Sequence, residues 1–184
     1  MLMSLLIPVV LATVGVFFAS FLSWMILQLH RHDWKKLANE DEFLQAVRQC
    51  EIPPGNYMFP GCNSPEEAKT EEHQKKWAAG PCGVVTFYGP VNMGANMGRN
   101  LGMTFLYFLV VNFCLAYLAT LGVQRGADFM TVFRFVSTAG WMTFFAAIVP
   151  HSIWFGCRIV GHIVESVAFA AISGAIFAAM WPKA

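Results

Sequence analysis

Long stretches without a charged side chain dominate the pattern of apolar and polar positions along the chain. They cover residues 1–29, 100–124, 135–157 and 166–182. A helix needs about 20 mainly apolar residues to cross the hydrocarbon core of a bilayer, so each stretch predicts one transmembrane helix. We place the four helices at residues 6–27, 101–123, 130–149 and 159–181.

The predicted fold class is an all-α membrane protein with four transmembrane helices and an α+β insert between the first and the second. Residues 1–29 hold the first helix, 30–100 the insert and 101–184 the other three helices. Only 12% of the residues are charged, about half the fraction usual in soluble domains. The net charge is +1 and no basic stripe is present. We therefore predict the lipid bilayer, and no nucleic acid, as a partner.

The N-terminal stretch differs from a cleaved signal peptide, which has a charged start and a short apolar centre. Residues 1–4 carry no charged side chain, and the apolar run that follows is too long. We therefore expect the first helix to be retained, with Pro8 in its first turn, where a missing N–H costs little.

The distribution of basic residues predicts the orientation, because short cytoplasmic segments are rich in Lys and Arg. One side of the predicted bundle has the eight basic residues of the insert together with Arg158, and the other side has only Arg125, Arg134 and Lys183. We expect a multi-pass protein of the bacterial inner membrane, with both termini outside and the insert in the cytoplasm.

The insert carries local signals for helices and strands. Asn39 precedes an acidic helix start, and Ser64-Pro65-Glu66-Glu67 predicts a second helix that continues to Gly80. Residues 56–59 and 84–88 are short and aromatic or β-branched, so we expect them to pair as two strands. We interpret residues 92–98 as a loop into the second span.

Small residues recur every four positions in two predicted spans, which is the pattern that lets membrane helices approach closely. The first span carries Gly15, Ala19 and Ser23, and the last span carries Ser166, Ala170, Gly174 and Ala178. We predict that these residues pack helices together. Either they complete the four-helix bundle, or one of the two stripes docks another membrane subunit or a second copy of the chain.

Glu165 is unusual because it lies about 9 Å into the last predicted span at 1.5 Å per residue, where carboxylates are rare. His162 is on the same helix face. In the predicted topology, the same end of the bundle also receives His30, His32 and His151. These five residues are candidates for a metal or proton site, since imidazole and carboxylate suit zinc, iron or manganese. Alternatively, the histidines are interfacial and Glu165 is neutral or paired with Arg158 or an Asn. We predict no catalytic residue and no cofactor, with a metal ion as the alternative.

The insert also contains Cys50, Cys62 and Cys82, with His73 nearby in sequence. Zinc ligands usually occur in close pairs, and no two of these cysteines are within four positions of each other. We therefore expect free thiols, as is usual in a reducing cytoplasm.

Several segments resemble uncharacterised small bacterial four-helix integral membrane proteins, known as domains of unknown function. The matching pieces are Trp24 followed by residues 30–36, residues 40–47 with Pro53-Pro54-Gly55, residues 57–61, and residues 153–158 before a last span that closes on Trp181-Pro182. The resemblance covers most of the chain and implies architecture alone, because that group has no assigned activity.

Our leading functional hypothesis is a non-catalytic membrane subunit or assembly factor of a larger bacterial inner-membrane complex. The alternative is a small transporter or a proton- or metal-handling membrane protein that uses Glu165 and His162. A membrane enzyme acting on lipid or quinone is the third hypothesis. The sequence shows no nucleophilic triad pattern, no phosphate-binding loop and no CxxC motif, which disfavours an enzyme.

Overall fold

The structure is a computed structural model that describes residues 1–183. Four helical segments in it are long and apolar enough to cross a membrane, and they span Leu2–Ile26, Met93–Gly122, Phe129–Phe155 and Val160–Ala179. These segments confirm the predicted number of long apolar helices. The chain divides into two compact units, one formed by residues 1–35 and 94–183 and the other by residues 36–93.

The first span changes its helical geometry along its length. A short 3₁₀ turn at Leu2–Leu5 leads into helix α1 (Leu6–Phe21), which is followed by a π-helical turn at Leu22–Ile26. Pro8 is buried near the start of α1, where proline is tolerated better than in the interior of a helix. A π-helical turn is wider than an α-helical one. This turn ends the first span and leads into the segment that carries His30.

The other spans contain four helices. Helix α5 (Met93–Gly122) follows the insert, and helices α6 (Phe129–Phe145) and α7 (Ile148–Phe155) form the third span with a turn between them. Helix α8 (Val160–Ala179) is the last. The prediction of a loop at residues 92–98 is wrong from Met93 onward, because the Asn, Met and Gly residues there continue the helix of the second span.

Helix α8 packs closely against α6 and α1 through small residues. A Cβ atom added at Gly174 would lie 3.0 Å from Cβ of Ser137 and 3.1 Å from the Phe133 carbonyl oxygen. A Cβ added at Gly15 would lie 2.9 Å from Cγ2 of Ile172. The close approach of these helices therefore depends on having glycine, which has no side chain, at positions 15 and 174.

A buried polar contact links α5 to α8 within the apolar core. The hydroxyl of Ser173 donates to Oδ1 of Asn112 at 2.8 Å, and Nδ2 of Asn112 donates to the Phe108 carbonyl at 2.9 Å. Asn112 and Ser173 are both fully buried, so these bonds satisfy groups that would otherwise be costly to bury. This is the interhelical use expected of polar residues in a span.

Asp128 caps the start of α6. Its carboxylate accepts hydrogen bonds from the backbone N–H groups of Met130 and Thr131 and from the Thr131 hydroxyl. These bonds, led by the one from the Thr131 hydroxyl, hold the pKa of Asp128 below its ordinary value, because they favour the charged form.

The insert unit contains three helices and a two-stranded sheet. The helices are α2 (Glu40–Gln49), α3 (Pro65–Ala68) and α4 (Glu71–Ala79). Strands β1 (Gly55–Phe59) and β2 (Gly83–Phe87) pair antiparallel, with Gly55 opposite Phe87. The predicted pair of strands is confirmed.

Two features of the helix starts in the insert differ from what the local sequence predicts: an Asn before a helix usually caps it through its side chain, and the second helix is expected to run on to Gly80. Asn39 precedes α2, but its side chain makes no capping bond and its amide donates to the Glu42 carboxylate instead. Ser64 does cap α3, yet the helix stops at Ala68 rather than continuing to Gly80. Thr70 starts a new helix by accepting a hydrogen bond from the His73 N–H, so the insert has three helices instead of the two predicted.

Candidate functional site

The segment after the first span turns back sharply and thereby positions His30. Within the π turn, the N–H of Leu27 bonds to the Leu22 carbonyl, and the N–H of Leu29 reaches the Ser23 carbonyl. Gln28 then adopts a left-handed conformation with φ of 48°, which ends the helix. A turn follows, in which the Asp33 N–H bonds to the His30 carbonyl, and this turn places the two side chains together.

The imidazole of His30 is enclosed on two sides. The Trp24 ring stacks on it, with ring centroids 4.1 Å apart and planes inclined by 15°. Gly161 in the first turn of α8 also lies against the ring, because a Cβ at this position would be 2.7 Å from Cε1 of His30. Only 4% of His30 is exposed, so its polar atoms depend on partners from the protein.

Two carboxylates lie next to the two nitrogens of this ring. Nδ1 of His30 is 2.6 Å from Oδ2 of Asp33, and Nε2 is 3.2 Å from Oε2 of Glu165. Since an ionised carboxylate only accepts, Nδ1 carries the hydrogen in the bond to Asp33. The second histidine, His162, places Nδ1 3.8 Å from the same oxygen of Glu165. We call Asp33, His30, Glu165 and His162 the histidine–carboxylate centre.

The atoms facing the middle of the centre are not paired by ordinary hydrogen bonds. Nε2 of His30 is close to Glu165, but the pair does not have hydrogen-bond geometry, and Oε1 of Glu165 has no hydrogen-bond partner within the described chain. Glu165 is 8% exposed. Buried polar atoms are normally satisfied, so these two atoms are suited to share a third partner.

A cation would also balance the charges of the centre. With both carboxylates ionised and both histidines neutral, the centre carries a charge of −2, and an unpaired buried charge is strongly unfavourable. Two protons on the histidines or one divalent cation would neutralise it. Ligand atoms of His30, Asp33 and His162 all lie within 4.8 Å of one another, which is close enough for a metal ion.

The structure brings together three of the five residues proposed as a site from the sequence. His30, His162 and Glu165 meet, whereas His32 and His151 have exposed side chains. The His32 carbonyl accepts a hydrogen bond from Arg158 at 3.3 Å, and His151 packs on Phe155 with ring centroids 4.8 Å apart. The suggested pairing of Glu165 with Arg158 or an Asn is wrong, because the groups next to its carboxylate are the two histidines.

Asp33 is the residue of the centre that sequence reasoning missed. Its spacing of three residues from His30 fits a turn, but the segment 30–36 offered no periodic pattern that would predict one. The contact of Trp24 with His30 depends on the π turn, which apolar periodicity does not reveal.

The residues of the two small-residue stripes lie within the bundle. Gly15 packs on Ile172 and Ile176, Gly174 on Phe133 and Ser137, and Ala170 next to Gly140. Ser23, Ser166 and Ala178 are buried, and Ala19 is half-buried against the core. The small residues of both stripes therefore already pack against other helices of the same chain.

The cysteines of the insert do not form a metal site within residues 1–183. Cys50, Cys62 and Cys82 are exposed free thiols. Nε2 of His73 accepts a hydrogen bond from the Trp77 indole at 2.8 Å, and Cys82 bonds to the Trp77 carbonyl. Among the described residues, a group of possible metal ligands that lie within 4.8 Å of one another is found at His30, Asp33 and His162.

Comparison with protein-family models, with curated proteins and with solved structures found no match for the chain.

Proposed function

We propose that the chain is a small membrane protein that handles protons or metal ions at the histidine–carboxylate centre. The observation that supports this most strongly is the buried His30 ring held between Asp33 and Glu165. Burying ionisable groups such as His30 and Glu165 is costly, and ionisable residues within apolar spans usually mark ion or proton sites. Imidazole and carboxylate are also the side chains that exchange cations near neutral pH.

The location of the centre supports exchange with one aqueous side. His30 follows the first span, and His162 and Glu165 lie in the first two turns of α8. By the positive-inside rule this is the cytoplasmic end of the bundle, in a bacterial inner membrane with both termini outside. His162 is half-buried, so it is the member of the centre through which a cation would enter from water.

An accessory subunit that docks through small residues is less well supported. The stripes at Gly15 and Gly174 make contacts inside the bundle, so they do not need a partner protein to explain them. Association with other membrane subunits or with a second copy stays a prediction, as does the absence of catalysis.

Cation flux through proteoliposomes tests the proposed function. Vesicles that contain the protein and a trapped pH-sensitive or zinc-sensitive dye receive an imposed gradient of protons or Zn²⁺. We expect faster entry of at least one of the two cations than in protein-free vesicles, and at least a tenfold slower rate with Glu165→Gln, which keeps the shape and removes the charge.

Glu66→Gln is the matched control, because it makes the same chemical change at an exposed carboxylate of the insert. It should behave like the wild type. Flux equal to that of empty vesicles for both cations, or equal flux in the wild type and Glu165→Gln, would contradict the proposal.

A further inference from the structure

We infer that the histidine–carboxylate centre binds one divalent transition-metal ion of the zinc type. The ligands are Nε2 of His30, Nδ1 of His162 and the Glu165 carboxylate. Asp33 also lies close to both histidines, but its hydrogen bond to Nδ1 of His30 makes it the group that orients this ring. This inference rests on the proposed function and names the cation. It is tested by binding alone, so it can fail independently of transport.

The distances from the Glu165 carboxylate to the two histidines fit such an ion. Zinc lies about 2.0–2.1 Å from imidazole nitrogen and carboxylate oxygen in tetrahedral sites, so two ligand atoms are separated by about 3.4 Å. The observed separations from Oε2 of Glu165 are 3.2 Å to His30 and 3.8 Å to His162. Small movements of side chains would therefore complete the coordination.

The remaining contacts of His30 match those of a metal ligand. A histidine that binds a metal through one nitrogen usually donates a hydrogen bond from the other nitrogen to a carboxylate or carbonyl. Nδ1 of His30 makes this bond to Asp33 at 2.6 Å, which leaves the lone pair of Nε2 directed away from Asp33. That nitrogen is buried and has no hydrogen-bond partner within the described chain.

The ligand types and charges select the kind of ion. Two imidazoles and one carboxylate suit zinc and similar first-row metals, whereas magnesium and calcium prefer sites made of oxygen ligands. A divalent ion would neutralise the two carboxylates of the centre while both histidines stay neutral. Three protein ligands leave a fourth position open, as in sites that exchange a bound molecule rather than in closed structural sites.

Metal binding by the purified protein tests the inference. The protein is prepared in mild detergent with Cys50, Cys62 and Cys82 replaced by Ser, stripped with a chelator and titrated with Zn²⁺. We expect one Zn²⁺ per chain, and at least a tenfold weaker affinity after Glu165→Gln or His162→Ala. Asp33→Asn should weaken binding by roughly 10–100-fold, as for other groups that orient a ligand.

His32→Ala and His73→Ala are the control variants, because neither side chain belongs to the centre, and both should keep the wild-type affinity. Co²⁺ provides a spectroscopic signature, since a four-coordinate site gives strong visible absorption that Glu165→Gln should abolish. Gel filtration and thermal melting show whether each variant is folded.

Failure of the wild type to retain stoichiometric Zn²⁺ would overturn the inference, as would unchanged affinity in folded Glu165→Gln. Proton flux without zinc binding would leave the proposed function standing and remove the metal. Zinc binding that depends on the centre, without flux of either cation, would support the metal site and contradict the proposed function.

Discussion

Nε2 of His30 lies 3.2 Å from Oε2 of Glu165, although the two residues come from segments near opposite ends of the chain. The contact joins the turn after the first span to the start of the last span. It requires the π turn at Leu22–Ile26, the left-handed Gln28 and a glycine at position 161. Several local features thus bring one buried histidine to one buried carboxylate.

Gly161→Ala should disturb the centre without removing any of its polar groups. The added Cβ would lie 2.7 Å from Cε1 and 3.0 Å from Nδ1 of His30, so the ring must move away from Asp33 or Glu165. Overpacking typically costs about 1–3 kcal/mol, which exceeds the helix propensity that Ala gains over Gly. We expect a lower Tm and weaker cation binding.

Gly102→Ala is the control for this substitution, because no atom lies within 4 Å of the position that its Cβ would take. Its Tm should be unchanged or higher, since Ala favours helix by about 1 kcal/mol. Equal Tm values for the two variants would show that His30 does not rest on Gly161.

Gly174→Leu should separate helices α6 and α8. Even a single Cβ at Gly174 would be 3.0–3.1 Å from Ser137 and Phe133, so a Leu side chain cannot be placed without moving one backbone. We expect a loss of stability of at least about 1–3 kcal/mol, measured as a lower Tm in detergent. Val167→Leu changes a residue of α8 that is 53% exposed and should leave the Tm nearly unchanged, whereas similar losses for both would mean that Gly174 is not at the contact.

Asp128 should make stability depend on pH in the acidic range. Because its folded-state pKa is lowered by the bonds from Thr131 and Met130, the stabilisation is complete above the unfolded-state pKa of about 3.9. It is lost as the pH falls through the lower folded-state pKa. The wild-type Tm should therefore drop more than that of Asp128→Asn between pH 5 and about 2, since Asn also caps helices but carries no charge. Parallel Tm curves would contradict this assignment.

The predicted orientation can be tested by labelling of cysteines. Cys50, Cys62 and Cys82 are exposed in the insert, so a membrane-impermeant maleimide should label them only after the cells are permeabilised. The background carries Cys114→Ala and Cys157→Ala. Lys183→Cys is the positive control and should react in intact cells. Labelling of the insert without permeabilisation would reverse the proposed topology.

The charge-free apolar runs were sufficient to predict the four long helices, because each helical segment contains most of one such run. The capping residue Ser64 and the β-branched residues of Gly83–Phe87 likewise predicted local structure correctly. The helical break at Thr70 was not predictable from the pattern, since the sequence on both sides favours helix and a single side-chain hydrogen bond restarts it.

The centre was only partly predictable for a different reason. Glu165 and His162 were identified because a carboxylate within an apolar run is unusual, and their spacing places them on one helix face. The roles of His30 and Asp33 depend on the backbone turn after Ile26, which no sequence period encodes. The sequence alone did not distinguish His30 from His32 and His151, because only tertiary contacts make His30 buried and leave the other two exposed.

We propose that His162 and Glu165 act as one cation-binding unit with His30. The most direct test is the cation flux of proteoliposomes containing Glu165→Gln, His162→Ala or both, compared with the wild type at equal protein content. If the residues share one ion, each single variant should lose most of the cation flux. The flux of the double variant should then be no lower than that of the less active single variant. Independent effects whose free energies add in the double variant would contradict a shared cation site, even if each single variant were impaired.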